Sequence, residues 1–174
     1  KAFLELLREV TARHGALLIF DEVISGFRVA RGGAAEHYGI TPDMATFGKI
    51  VGGGMPVGAF GASTAIMSRL APDGDTYQAG TLSGNPVAMA AGIATLDILE
   101  HEHAWEQLEA RGARLAQRLA PVVAKAAFPL HLVRLVSLLW LSLHDDSEPR
   151  RAGTLSPVAA LRFQKLFHAM LERG

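Results

Sequence analysis

One lysine of this chain stands where its amine could react with a bound ligand. Lys49 follows the short apolar run 44–47 and precedes the glycines 52–54, so little side-chain bulk surrounds it. An unprotonated lysine amine can form a Schiff base with an aldehyde. The alternatives are a lysine that contacts a phosphate in a Gly-rich loop and an ordinary surface lysine. A Walker-type phosphate loop is disfavoured, because there the glycines precede the lysine.

A carboxylate occupies a comparable position earlier in the chain. The continuous apolar run 16–20 predicts a strand buried on both faces, and Asp21 and Glu22 follow it. Ligands of open α/β sheets bind beyond the carboxyl ends of strands, where Asp21 could pair with a cationic group such as a protonated pyridine nitrogen. Asp21 could instead cap a loop or pair with Arg28. Metal binding by Asp21 and Glu22 is disfavoured, because adjacent strand residues point to opposite faces.

A loop with phosphate-binding chemistry follows at residues 77–86. It offers the hydroxyls of Thr81 and Ser83, free backbone N–H groups and the start of a helix at Asn85-Pro86. Such a loop can bind a phosphate. The ordinary interpretation is helix capping by Asn85, and both can hold together.

Histidines do not indicate a metal site. The chain has seven, and His101 and His103 lie two residues apart without carboxylates that would complete a ligand set. We therefore predict no metal.

Periodicity and capping signals predict the elements that position these residues. Besides the first strand, apolar runs predict strands over 44–47 and 57–62 and strand character over 132–143. Helices are predicted up to Gly15, over 63–70, from Asn85 to about His101, over 104–125, and from Ser156 to near Gly174. Residues 26–39 are predicted as loop with some helix and 145–153 as loop. The early alternation of strands and helices predicts an α/β fold with a parallel sheet.

Composition excludes several function classes. The chain has 174 residues, 49% hydrophobic and 20% charged, with a formal net charge of +0. No broad attraction to nucleic acid or to an anionic membrane follows from that charge. No apolar run approaches the ~20 residues that span a bilayer. The absence of cysteine excludes disulfides and thiolate chemistry within the chain and fits a cytoplasmic protein.

Taken together, these segments resemble the class III, fold-type I aminotransferases that use pyridoxal phosphate. Residues 18–23 with Gly26-Phe27-Arg28 look like the strand of that family that carries the pyridine-binding aspartate, and 48–54 look like its cofactor-lysine segment. The strings 26–30, 52–59 and 77–86 narrow the likeness to the branch that moves an amino group within one substrate. After Phe128 the likeness fades, and Val136-Ser137 stands where Gly-Ser is expected.

The resemblance implies a role for each candidate residue. Lys49 would bond covalently to pyridoxal 5'-phosphate, the pyridoxamine form arising in turnover, and would move protons at the substrate carbon. Asp21 would pair with the pyridine nitrogen, and Val23 would pack on the ring. Thr81 would contact the cofactor phosphate of the neighbouring subunit of a homodimer. The implied reaction converts glutamate-1-semialdehyde to 5-aminolevulinate, a step of tetrapyrrole synthesis.

The same resemblance implies the organisation of the chain. Residues 1–127 would be part of a large cofactor-binding domain with a mostly parallel sheet, and 128–174 the beginning of a small C-terminal α+β domain. The chain starts without methionine and is shorter than the subunits of this family, so we expect a piece of a longer protein, inactive by itself. Two alternatives remain, namely a class III ω-amino-acid transaminase with two substrates and a catalytically silent domain of the same fold.

Overall fold

A computed structural model describes residues 1–144 and 156–174. The chain forms two compact units, Lys1–Glu106 and Gln107–Gly174. The predicted division into residues 1–127 and 128–174 stays a prediction. The predicted loop 145–153 lies outside the described residues.

The first unit is built on a three-stranded sheet with the strand order β1-β2-β3. Its elements are α1 (Ala2–Arg13), β1 (Ile19–Asp21), α2 (Gly33–Tyr38), β2 (Met44–Phe47), a 3₁₀ helix (Lys49–Gly52), β3 (Ala59–Ala62), α3 (Thr64–Met67) and α4 (Pro86–His101). β1 and β2 are parallel, with Ile19 opposite Met44 and Asp21 opposite Thr46. β3 runs antiparallel to β2, so the sheet is mixed in the described residues, and this antiparallel strand was not predicted individually. The connection between them is too short for a parallel crossover, which needs a dozen or more residues.

The core of this unit lies on one face of β1. Leu18, Phe20 and Ile40 are buried together, and Leu4 and Leu7 of α1 pack against them. The opposite face of β1 is open, since Ile19 is 53% exposed. The prediction of a strand buried on both faces was therefore wrong for the described residues. Within the described residues, β1 pairs only with β2.

The second unit combines helices with a β-hairpin. Its elements are most of α5 (Ala104–Ala124), β4 (His131–Leu135), β5 (Leu138–Ser142) and α6 (Pro157–Leu171). β4 and β5 pair antiparallel, so the strand character predicted over 132–143 is two strands joined at Val136 and Ser137. Val136 adopts a φ of 54°, in the left-handed region. The sequence hid this turn, because a branched residue stands where turns of this kind favour glycine or asparagine.

Local capping fixes the helix starts as predicted. The Asn85 side chain accepts hydrogen bonds from the N–H groups of Val87 and Ala88, and Pro86 is the first residue of α4. The Ser156 hydroxyl likewise accepts from the N–H of Ala159 at the start of α6. Within residues 1–144 and 156–174, no helix is both long enough and apolar enough to cross a membrane.

Candidate active site

The parallel pair β1 and β2 places the two candidate chemical groups at one edge of the sheet. Asp21 is the last residue of β1 and lies opposite Thr46, one residue before the end of β2. Lys49 follows two residues after β2 ends. Because parallel strands point their carboxyl ends the same way, both residues leave the sheet on the side where α/β folds bind ligands.

The segment after Asp21 packs directly on the segment before Lys49. A Cβ atom placed on Gly48 would lie 3.3 Å from Cγ1 of Val23, so the valine side chain rests against the peptide that carries Lys49. Three residues after Val23, a Cβ on Gly26 would lie 2.7 Å from the Phe47 ring. The Phe27 and Phe47 rings also meet, with centroids 5.6 Å apart. The structure therefore brings the segments of Asp21, Val23 and Lys49 together.

Lys49 itself is held in an unusual backbone conformation. Its φ is 50°, although it carries a full side chain. A left-handed conformation costs an L-residue about 1–2 kcal/mol, and such residues concentrate at functional sites. The Lys49 side chain is exposed, and within the described residues its ammonium makes no hydrogen bond or ion pair. The amine is therefore free to meet a ligand.

Close packing on α4 holds the loop after Lys49. Gly53 has a φ of 58°, and a Cβ there would collide with the carbonyl oxygen of Ala91 and the hydroxyl of Thr95. In the reverse direction, a Cβ on Gly92 of α4 would collide with the carbonyl oxygen of Val51. The glycines thus let the Lys49 loop lie directly against the backbone of α4. This packing stabilises the loop and holds Lys49 in its left-handed conformation.

Asp21 presents a free acceptor on the same edge. Its Oδ1 accepts a hydrogen bond of 3.0 Å from the N–H of Val23, which closes a tight turn over Glu22. The residue is exposed, and in the described part of the chain it forms no ion pair with Arg28 or any other cation. The loop-capping alternative for Asp21 therefore holds in part. Oδ2 remains available to a ligand.

Thr81 does not join this group within one chain. Its loop is exposed, and in residues 1–144 and 156–174 no hydrogen bond links Thr81 to Asp21, Val23 or Lys49. A cavity of about 490 Å³ beside Val57 and α4 is lined by the residues that flank Thr81, namely Gly80, Leu82, Ser83 and Gly84. A second cavity of about 430 Å³ includes Asp21. Neither is lined by Lys49 or Thr81.

Sequence reasoning missed the importance of Glu22. It is 1% exposed, although glutamate is rarely buried. Its carboxylate accepts hydrogen bonds from the N–H groups of Ala34 and Ala35 and from the Ser25 hydroxyl. The available signal was the face that Glu22 shares with buried Phe20, since alternate residues of a strand point the same way.

His101, the histidine nearest to a second one in sequence, makes a local contact. His101 Nδ1 lies 2.7 Å from the carbonyl oxygen of Asp97, within its own helix. Across residues 1–144 and 156–174, no cluster of three or more His, Asp or Glu side chains could hold a metal ion.

This arrangement of fold and strand ends is that of a known class of enzyme. The model of the aminotransferase class-III family matches residues 1–163, and the chain belongs to that family. Its predicted fold class, α/β of the class III aminotransferase type, is thereby confirmed.

The similar proteins include both aminomutases and transaminases. The chain is 52% identical over 99% of its length to a glutamate-1-semialdehyde 2,1-aminomutase of Desulfosudis oleivorans, and it spans 40% of that protein. It also resembles the crystal structure of an omega-transaminase from Sphaerobacter thermophilus (39% identity, TM-score 0.76), with 85% of this chain and 34% of that one covered. A transaminase solved with PLP bound matches 92% of this chain and 37% of its own, at 32% identity and a TM-score of 0.76.

Proposed function

We propose that the protein containing this chain is a pyridoxal-phosphate-dependent isomerase. It moves an amino group within glutamate-1-semialdehyde to give 5-aminolevulinate, a step that feeds tetrapyrrole synthesis. The observation that carries the proposal is the position of an exposed carboxylate at the carboxyl end of β1 and of an unpaired lysine just after the end of the neighbouring parallel strand β2. The choice of substrate rests on the 52% identity to an aminomutase.

The residues at this edge fit the proposed cofactor. Asp21 has a free carboxylate oxygen for a protonated ring nitrogen, and Lys49 has an amine without a competing ion pair. Val23 presents an apolar surface beside Gly48, the residue that precedes Lys49. A flat cationic ring with an aldehyde group would use all three.

When bound, the cofactor supplies an electron sink that stabilises negative charge at the substrate carbon. Asp21 keeps the ring nitrogen protonated, which strengthens that sink. Val23 packs on the ring face and orients it. The Lys49 amine would hold the aldehyde group of the cofactor and would carry protons to and from the substrate carbon.

Thr81 would act in a homodimer. In the described part of one chain it makes no hydrogen bond with Lys49, and it is exposed in a loop ahead of α4. We propose that it binds the phosphate of the cofactor held by the partner subunit. The two subunits would then depend on each other for cofactor binding. A cytoplasmic location is part of the same proposal and fits the absence of cysteine.

The described residues do not enclose the site. Asp21, Lys49 and Thr81 are all exposed. Because closed sites exclude water from such reactions, we expect the 174-residue chain to be inactive by itself.

The competing function is transamination between two substrates, which the ω-transaminase relative favours. The full-length protein should be incubated with glutamate-1-semialdehyde alone, and 5-aminolevulinate should be measured. We expect product to form without any external amino acceptor. Amino transfer to added pyruvate, with no 5-aminolevulinate formed, would replace the aminomutase by an ω-transaminase. Absence of any cofactor absorbance band in the full-length protein would identify a catalytically silent domain.

A further inference from the structure

A buried carboxylate lies between the two residues proposed to hold the cofactor ring. Glu22 is 1% exposed and stands between Asp21 and Val23. Its Oε2 accepts a hydrogen bond of 2.9 Å from the N–H of Ala34 and another from the Ser25 hydroxyl. Its Oε1 accepts a bond of 2.8 Å from the N–H of Ala35. All three donors thus converge on one side chain.

The Glu22 carboxylate is tightly packed against the backbone at Gly33. Gly33 adopts a φ of 67°, and a Cβ there would lie 2.5 Å from Oε2 of Glu22. Glycine is required at position 33, because it tolerates the positive φ and has no Cβ that would collide with the Glu22 carboxylate. The three donors around Glu22 match a carboxylate, because both of its oxygens accept hydrogen bonds.

The backbone of Glu22 is held as firmly as its side chain. Its N–H donates to the carbonyl oxygen of Thr46 in β2 at 2.8 Å, and its own carbonyl oxygen accepts from the N–H of Gly26 at 2.8 Å. Because successive strand residues point to opposite faces, anchoring Glu22 on the core side fixes Asp21 on the opposite face. The Val23 N–H donates a hydrogen bond to the Asp21 carboxylate, and this bond closes a turn around Glu22.

We propose that Glu22 is a positioning residue, which sets the orientation of the Asp21 carboxylate and the Val23 side chain toward the cofactor ring. The inference rests on the proposed function. Glu22 touches neither cofactor nor substrate and acts through the residues on either side of it.

Glu22→Gln tests the anchor with almost no change of size. The amide keeps one oxygen and replaces the other by an NH₂ group, which faces a backbone N–H. The Ser25 hydroxyl can rotate to accept, whereas the amides of Ala34 and Ala35 cannot. One backbone donor therefore loses its acceptor, and the turn at Asp21 loses its support.

The decisive experiment is a double-mutant cycle in the full-length protein with Asp21→Asn and Glu22→Gln. Pyridoxal phosphate affinity is measured by absorbance titration, and protection of the Ala34 and Ala35 amides by hydrogen exchange. We expect Glu22→Gln to weaken cofactor binding about tenfold in the native background and less than about twofold in the Asp21→Asn background. Non-additivity of this kind shows that Glu22 works through Asp21. Equal losses in both backgrounds would overturn the proposal, because a structural role predicts additive effects.

Two further variants keep the test conclusive. Glu36→Gln is the matched control, because Glu36 also accepts a backbone hydrogen bond near the start of α2, from Gly32, but is exposed. We expect it to leave cofactor affinity unchanged. If Glu22→Gln does not fold, Ser25→Ala removes one donor from the same carboxylate, and we expect a loss of about threefold that again vanishes with Asp21→Asn. If Ser25→Ala leaves the affinity unchanged, or weakens it equally in both backgrounds, the inference fails.

The two proposals fail in different ways. If the wild-type protein shows no cofactor absorbance, or if Asp21→Asn leaves affinity unchanged, the proposed function fails and this inference fails with it. If Asp21→Asn weakens binding while Glu22→Gln adds the same loss in either background, only the positioning role is rejected.

Discussion

Lys49 and Val136 share an unusual backbone and differ in what that backbone serves. Each is a residue with a full side chain at positive φ, 50° and 54°, close to the end of a strand. Each lies in a turn that presses against a helix at a glycine. Gly92 of α4 leaves space for the carbonyl oxygen of Val51, and Gly112 of α5 leaves space for that of Val136.

The side chains separate the two turns. Lys49 carries an unpaired amine just after the end of β2, and Asp21 ends the neighbouring parallel strand. Val136 carries only methyl groups and joins two hairpin strands. Backbone strain by itself is therefore a poor sign of function. It becomes informative when the strained residue also carries a reactive group at the edge of the sheet where ligands bind.

Replacing the lysine gives the largest expected effect. Lys49→Ala in the full-length protein should lower activity by about 10²–10⁴-fold, because the group that moves protons at the substrate carbon is lost. The measurement is the initial rate of 5-aminolevulinate formation. Lys165→Ala, which changes an exposed lysine of α6, is the control and should keep full activity. Equal losses of activity in both variants would contradict the proposed catalytic role of Lys49.

The contact that supports the Lys49 turn should be intolerant of a single methyl group. Gly53→Ala combines a collision with the Ala91 carbonyl and a positive φ, so we expect a loss of about 2–4 kcal/mol in unfolding free energy. Urea denaturation checks it. Gly58→Ala is the control, because nothing lies within 4 Å of its Cβ position and its φ is not in the left-handed region. A loss at Gly58 as large as at Gly53 would contradict the packing argument.

At the turn that contains Val136, the backbone strain should be removable without loss of stability. Val136→Gly relieves a left-handed conformation at a residue with no chemical role, so we expect a gain of about 1 kcal/mol or less. Ser137→Gly changes the adjacent residue, whose φ is not positive, and should instead destabilise by about 0.5–1 kcal/mol. Thermal unfolding of both variants measures the pair. Destabilisation by Val136→Gly would show that its side-chain packing outweighs the strain.

The smallest expected effect concerns pH and the start of β1. The pKa of Asp43 lies below its ordinary value of 3.8, chiefly because the N–H of Leu18 donates to it. Partial burial opposes this shift, and the Arg8 guanidinium, 2.9 Å away, adds to it. A lowered pKa means that Asp43 stabilises the fold above pH 3.8 and ceases to do so as the pH falls through its folded value.

Asp43→Asn should therefore remove part of the acid sensitivity of the first unit. Urea unfolding across this pH range should show a shallower slope for the variant than for the wild type. The Asp97→Asn variant changes a carboxylate with no described hydrogen bond or ion pair of its side chain and should keep the wild-type slope. Parallel curves for Asp43→Asn and wild type would show that this carboxylate does not link α1 to β1.

The sequence predicted what local chemistry decides. Asn85-Pro86 and Ser156-Pro157 cap helices through hydrogen bonds two or three residues away, so both starts were visible. The strand Met44–Phe47 was predicted with its observed bounds. The first strand was shifted, because its apolar run 16–20 marks burial and its pairing partner fixes the hydrogen-bonded part at Ile19–Asp21.

Features that depend on distant residues were not visible. The antiparallel direction of β3 follows from how the chain returns, and the turn at Val136 carries no glycine signal. At the candidate site, two strand ends predicted that Asp21 and Lys49 would lie at one edge. The buried anchor Glu22 was missed, because its donors lie about a dozen residues further along the chain, on Ala34 and Ala35. The roles of Val23 and Thr81 stay predictions.

Covalent labelling tests the central claim most directly. The full-length protein is incubated with pyridoxal phosphate, reduced with borohydride and digested, and the modified peptide is identified by mass spectrometry. The chain has four lysines, Lys1, Lys49, Lys125 and Lys165, so the label has clear alternatives. We predict a single phosphopyridoxyl group on Lys49, lost in Lys49→Ala. A label spread over the other lysines, or absent altogether, would contradict the assignment of Lys49 as the cofactor-binding residue.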